Sequence, residues 1–98
     1  MMVSSSTSPR RVLVVDDSAA YRQVVTRTLE RLDHVAVLGA VGTLALARAR
    51  IERGDVDAVT LDIVLRGETG LDLLRWIRQT HPHILVVLLS GESSVADV

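Results

Sequence analysis

Asp16 and Asp17 directly follow the apolar run Val12–Val15, Asp62 follows Ala58–Leu61, and Ser90 follows Ile84–Leu89. Carboxylates gathered in one place repel one another, and their pKa values rise unless a cation neutralises them. Ligation by oxygen alone, with neither His nor Cys, suits a hard ion, and Mg²⁺ is satisfied by one or two carboxylates with several retained waters. In such a site a carboxylate can attack phosphorus and form an acyl phosphate. Asp62 is the better nucleophile because it stands alone after its run, whereas Asp16 and Asp17 form a natural metal-binding pair. Ser90 can donate a hydrogen bond to a phosphoryl oxygen, and Gly91 beside it leaves room for a phosphodonor.

Taken singly, each Asp reads as a turn residue or a helix N-cap. Taken together they read as a site, provided that the runs they end are strands of one sheet. Other candidates have simpler readings. His81 and His83 flank Pro82 with no third ligand nearby in sequence, which suits a solvated loop better than a metal site. His34 precedes a strand and fits a turn or surface role. Trp76 falls beside the buried stripe of its helix and reads as partial packing. Gly39 and Gly42 do not make a dinucleotide-binding fingerprint.

The elements that must position these residues alternate along the chain. Strands are expected over Val12–Val15, Val35–Leu38, Ala58–Leu61 and Ile84–Leu89, nearly all apolar, as strands buried on both faces of a parallel sheet must be. Between them, Tyr21, Val24, Val25, Leu29 and Leu32 recur at helical spacing behind Ser18, a good N-cap. Leu44, Ala47 and Ile51 form a second stripe, and Leu71, Leu74 and Ile77 a third, ended by His81 and Pro82. Ser93–Val98 would start a fourth helix. Strands alternating with helices define an α/β fold, and ligands of open parallel sheets bind at the carboxyl ends of the strands. The acidic residues and Ser90 therefore converge on one rim.

Bulk properties narrow the function. The 98 residues suffice for one domain, with residues 1–10 read as a flexible tail and 11–98 as the domain. A formal net charge of -1 gives no electrostatic case for nucleic acid or an anionic membrane. All 11 basic residues are Arg, so no lysine-dependent mechanism is open to the chain. The absence of Cys fits a reducing cytoplasm, and no apolar run approaches the roughly 20 residues of a membrane span.

Arg11–Val25 (RVLVVDDSAAYRQVV, through the acidic pair), Asp57–Arg78 and Ile84–Ser93 together resemble the receiver domains of bacterial two-component response regulators. VDDSA followed by VTLD is most similar to the amino-terminal receiver of chemotaxis-type protein-glutamate methylesterases. The resemblance implies a flavodoxin-like (βα)₅ fold with parallel strand order 2-1-3-4-5. It implies that Asp62 is the phosphoacceptor and that Asp17, Asp62 and the backbone carbonyl of Val64 bind Mg²⁺ directly, Asp16 acting mainly through water. Ser90 takes the place of the hydroxyl residue that reorients towards the phosphoryl group. A sensor histidine kinase is the implied donor, and an output domain or effector the implied target. On this reading the chain is a phosphoacceptor signalling domain rather than an enzyme, although its parent protein could be a methylesterase.

Where the family usually carries Met-Pro and then Asp-Gly, this chain has Leu65, Arg66, Thr69 and Gly70. Loss of the proline removes a fixed backbone angle, so Val64 is expected to be held less rigidly. Strand five and helix five of the family have no counterpart, nor has the family Lys that contacts phosphate, and the chain is expected to be cut short and to self-associate. Two alternatives remain at this stage: a degenerate receiver that serves as an interaction module, and an aspartate-nucleophile phosphatase, for which the usual Asp-x-Asp is lacking.

Overall fold

The computed structural model describes residues 8–65 and 68–89, with the backbone alone at 64, 65 and 68. Most of the expected tail, Arg66, Ser90, Gly91 and the expected fourth helix at Ser93–Val98 lie outside the described residues. Strands β1 (Arg10–Val15), β2 (Val35–Val41), β3 (Ala58–Asp62) and β6 (Leu85–Leu89) form a parallel sheet in the order β2-β1-β3-β6. This is the flavodoxin-like order expected of the first four parallel strands. A short antiparallel pair, β4 (Val64–Leu65) and β5 (Glu68–Thr69), was not expected from the sequence.

Three helices connect the strands: α1 (Ala19–Glu30), α2 (Leu44–Ile51) and α3 (Gly70–Thr80). Each begins at a hydroxyl N-cap. Ser18 accepts from the Tyr21 N–H, Thr43 from Leu46 and Thr69 from Leu71, satisfying amide groups that a helix start leaves unpaired.

Side chains alternate between the two faces of the sheet. Leu13, Val15, Val59 and Leu61 point into one core with Leu44, Ala47 and Ile51 of α2 and Leu73 and Ile77 of α3. The α2 stripe is the one read from sequence. The α3 stripe is corrected: Leu73, Ile77 and Gly70 are buried, Leu74 is half-buried, and Leu71 is exposed. The reason is Gly70, which must face the backbone of Asp62 and so sets the rotation of the helix.

Helix α1 packs on β1 and β2 and contributes nothing to that core. Its expected stripe is corrected too. Arg22, Val25, Thr26 and Leu29 are the half-buried positions, whereas Val24 is 57% and Leu32 52% exposed, and no residue of α1 is fully buried. A stripe of apolar residues shows which side of a helix could be covered, and here the sheet meets only its edge.

Candidate functional site

The site is built where β1 and β3 end. Asp16 leaves β1 with its N–H donating to the Val41 carbonyl at 3.0 Å, which ties it to the end of β2. Its Oδ1 accepts from the Ser18 N–H at 2.9 Å, and its backbone carbonyl accepts from Arg22 Nη1 at 2.7 Å. Asp16 is buried, and Asp17 and Asp62 are half-buried. Asp62 ends β3 opposite Leu89 of β6.

One carboxylate oxygen from each of Asp16, Asp17 and Asp62 lies within 4.8 Å of the others. The expected convergence is therefore met for the acids, which come from two strand ends, those of β1 and β3. Burial raises the Asp16 carboxyl above the ordinary carboxylate range. The Ser18 N–H opposes that shift, the charges of Asp62 and Asp17 add to it, and Arg22 offsets part of it. A buried acid pressed by two neighbouring acids is relieved by a cation, and a donor set made only of oxygen suits a hard one. The residues present thus fit Mg²⁺.

The Asp62 loop is anchored on both sides. Ile63 N–H donates to the Leu89 carbonyl at 3.2 Å, and Gly70 N–H to the Ile63 carbonyl at 2.8 Å. A Cβ at position 70 would collide with the Asp62 carbonyl oxygen and crowd Ile63 Cα at 3.2 Å. Position 70 therefore admits no side chain without a shift of the Asp62 backbone. Val64 opens β4 two residues past Asp62 and pairs with Thr69. Ser90 is outside the described residues; the residue before it, Leu89, pairs with Asp62.

The other candidates fall away from this rim. The Arg48 guanidinium lies over the ring of half-buried Trp76 at 5.5 Å, and the His81 ring lies 5.2 Å from it. His81 Nδ1 is 2.8 Å from Thr80 Oγ1, and among the described residues no His joins a group that could hold a metal. His34 is exposed with a φ of 68°, the left-handed conformation of a turn residue. Sequence reasoning missed Arg22 and Gly42 beside Asp16, for which no local pattern gives a signal.

Residues 12–98 match the response regulator receiver domain family, and the chain belongs to it. It is similar to protein-glutamate methylesterase/protein-glutamine glutaminase 1 of Paramagnetospirillum magneticum, 39% identical over 89% of this chain and 23% of the relative. The protein of the same name from Xanthomonas campestris pv. campestris is 37% identical over 92% of this chain and 25% of its own length. The chain thus spans about a quarter of the curated relatives it matches. Among solved structures, the isolated receiver of RcsB from Salmonella enterica serovar Typhimurium, determined with a phosphomimetic, superposes with a TM-score of 0.77. It is 18% identical, and the match covers 92% of this chain and 72% of that one. That likeness concerns the fold.

The names of the relatives correct one expectation. The chain was read as a signalling domain rather than an enzyme, but the proteins it is similar to are named as enzymes. The match spans only about a quarter of each of these relatives, and the resemblance of VDDSA and VTLD itself points to a methylesterase parent. Among the described residues no helix is long and apolar enough to cross a membrane.

Proposed function

We propose that this receiver, taken as residues 11–98, accepts a phosphoryl group on Asp62 from the phosphohistidine of a sensor histidine kinase. The observation that carries the reading is the convergence of Asp16, Asp17 and Asp62 oxygens within 4.8 Å at the carboxyl end of the sheet. An Asp62 carboxylate oxygen attacks phosphorus, the bond from phosphorus to the donor's imidazole nitrogen breaks with its electron pair going to the ring, and an acyl phosphate forms on Asp62. Asp16, Asp17, Asp62 and the carbonyl of Val64 would hold Mg²⁺, which when bound neutralises charge on the transferring group. Asp16 also positions the loop through its contacts with Val41, Ser18 and Arg22. Ser90 is assigned the switch hydroxyl that turns towards the phosphoryl oxygens.

A cytoplasmic setting fits a chain without Cys, and the names of the relatives support a protein-glutamate methylesterase or glutaminase unit as the output under control. The deciding experiment is labelling by a small acyl phosphate or a phosphorylated kinase in the presence of Mg²⁺. The wild type is expected to gain a single acid-stable, base-labile phosphoryl group, Asp62→Asn to gain none, and Ser90→Ala to label while responding weakly. Equal labelling of the wild type and Asp62→Asn would remove the assignment, and no labelling of either favours an interaction module.

A further inference from the structure

The Asp16 carbonyl belongs to the peptide that joins the two acids of the pair. That peptide is planar, so fixing the direction of its oxygen fixes the plane and with it the path from Asp16 to the Cα of Asp17. Arg22, one turn into α1, grips this oxygen with Nη1 at 2.7 Å. Its own backbone is set by an N–H bond to the Ser18 carbonyl at 2.9 Å. The guanidinium lies in a slot against residue 42, just past the end of β2. A Cβ there would stand 2.7 Å from Nη1, 3.5 Å from Cζ and 3.6 Å from the Asp16 oxygen. The slot therefore exists because residue 42 is glycine.

We infer that Arg22 is a positioning residue for the acidic site and that Gly42 provides the slot in which its guanidinium holds the Asp16–Asp17 peptide. The inference rests on the metal reading above. Three elements meet at one carbonyl: the end of β1, the first turns of α1 and the loop after β2. The one close contact at position 42 is with the far end of a flexible side chain, the Asp16 oxygen lying at ordinary van der Waals distance, so a methyl group there displaces the guanidinium without disturbing the core.

The sign of the effect separates this role from a merely electrostatic one. Removing a positive charge beside a cation site by itself strengthens cation binding, whereas losing the grip on the Asp16 carbonyl weakens it. The test is Mg²⁺ titration by calorimetry and amide NMR shifts, with thermal melts in chelator run in parallel. Arg22→Ala and Gly42→Ala should each weaken Mg²⁺ binding about tenfold, the size usual for residues that orient metal ligands. Arg22→Lys should recover part of the loss. Arg27→Ala, which removes the same charge from the exposed last turn of α1, should change binding less than twofold. Gly42→Ala should melt close to the wild type, which shows that its weaker binding is not general loosening. Unchanged or tighter Mg²⁺ binding in folded Arg22→Ala and Gly42→Ala overturns the inference while leaving the metal reading intact. A wild-type chain that binds no Mg²⁺ when Asp17→Asn also binds none overturns the metal reading and this inference with it.

Discussion

Asp16 carries the conflict on which the site depends. Burial and two neighbouring acids raise its carboxyl above the ordinary value of 3.8, so the folded chain holds this proton more tightly than the unfolded chain does. Its stabilising contribution is complete below pH 3.8 and is lost as pH rises through the higher folded value. Above that folded value and without metal, an ionised Asp16 sits where a neutral side chain would be better. Asp16→Asn retains an oxygen for the Ser18 N–H and removes the charge. In chelator at pH 7 it is expected to melt above the wild type. The gain should vanish in melts below pH 3.8, and Mg²⁺ should narrow it at pH 7 by stabilising the wild type. At the pair itself, Asp17→Asn is expected to weaken Mg²⁺ binding more than Asp16→Asn.

At the scale of elements, the rotation of α3 decides which leucines matter. Leu73 is completely buried beside Leu61 and Ile77, whereas Leu71 is 40% exposed. Leu73→Ala leaves a cavity in the core and is expected to cost about 2–5 kcal/mol in denaturant unfolding. Leu71→Ala should cost under about 1 kcal/mol, within the usual range for surface changes. The opposite order would mean that the helix is turned as its apolar periodicity suggested. The same rotation brings Gly70 against the Asp62 carbonyl, so the packing of α3 and the position of Asp62 are coupled through one residue without a side chain.

At the scale of the whole molecule, apolar side chains among the described residues remain exposed on the edge strand and on α1. The α2 and α3 side holds the core, while β6 pairs with β3 and, among the described residues, leaves Leu85 55% and Val87 42% exposed on the other face and Leu88 42% exposed on the core face near its end, with Val24 of α1 57% exposed. Apolar side chains on a strand that is paired on one side favour association. The 98-residue chain is expected to show concentration-dependent light scattering and broad melting, and Val87→Lys to reduce the scattering. A sharp, concentration-independent melt with monomeric scattering would show that these side chains are covered in solution.

Much of the site was legible in the sequence because its signals are local. An apolar run that stops at an acid marks a strand end, and the order Asp16-Asp17 then Asp62, each after such a run, already implies one rim of a parallel sheet. Helix starts were legible at Ser18 for the same reason, since a cap depends on residues three apart. The rotation of α1 and α3 was not, because periodicity shows an apolar side but not how much of it a neighbour covers. Nor was the contact of Arg22 with Asp16 and Gly42. Whether an arginine reaches a carbonyl depends on where α1 lies across the sheet, and whether it fits depends on β2 ending beside it. Composition and spacing therefore determined which residues could do the chemistry, and the packing of three distant segments decided what holds them in place.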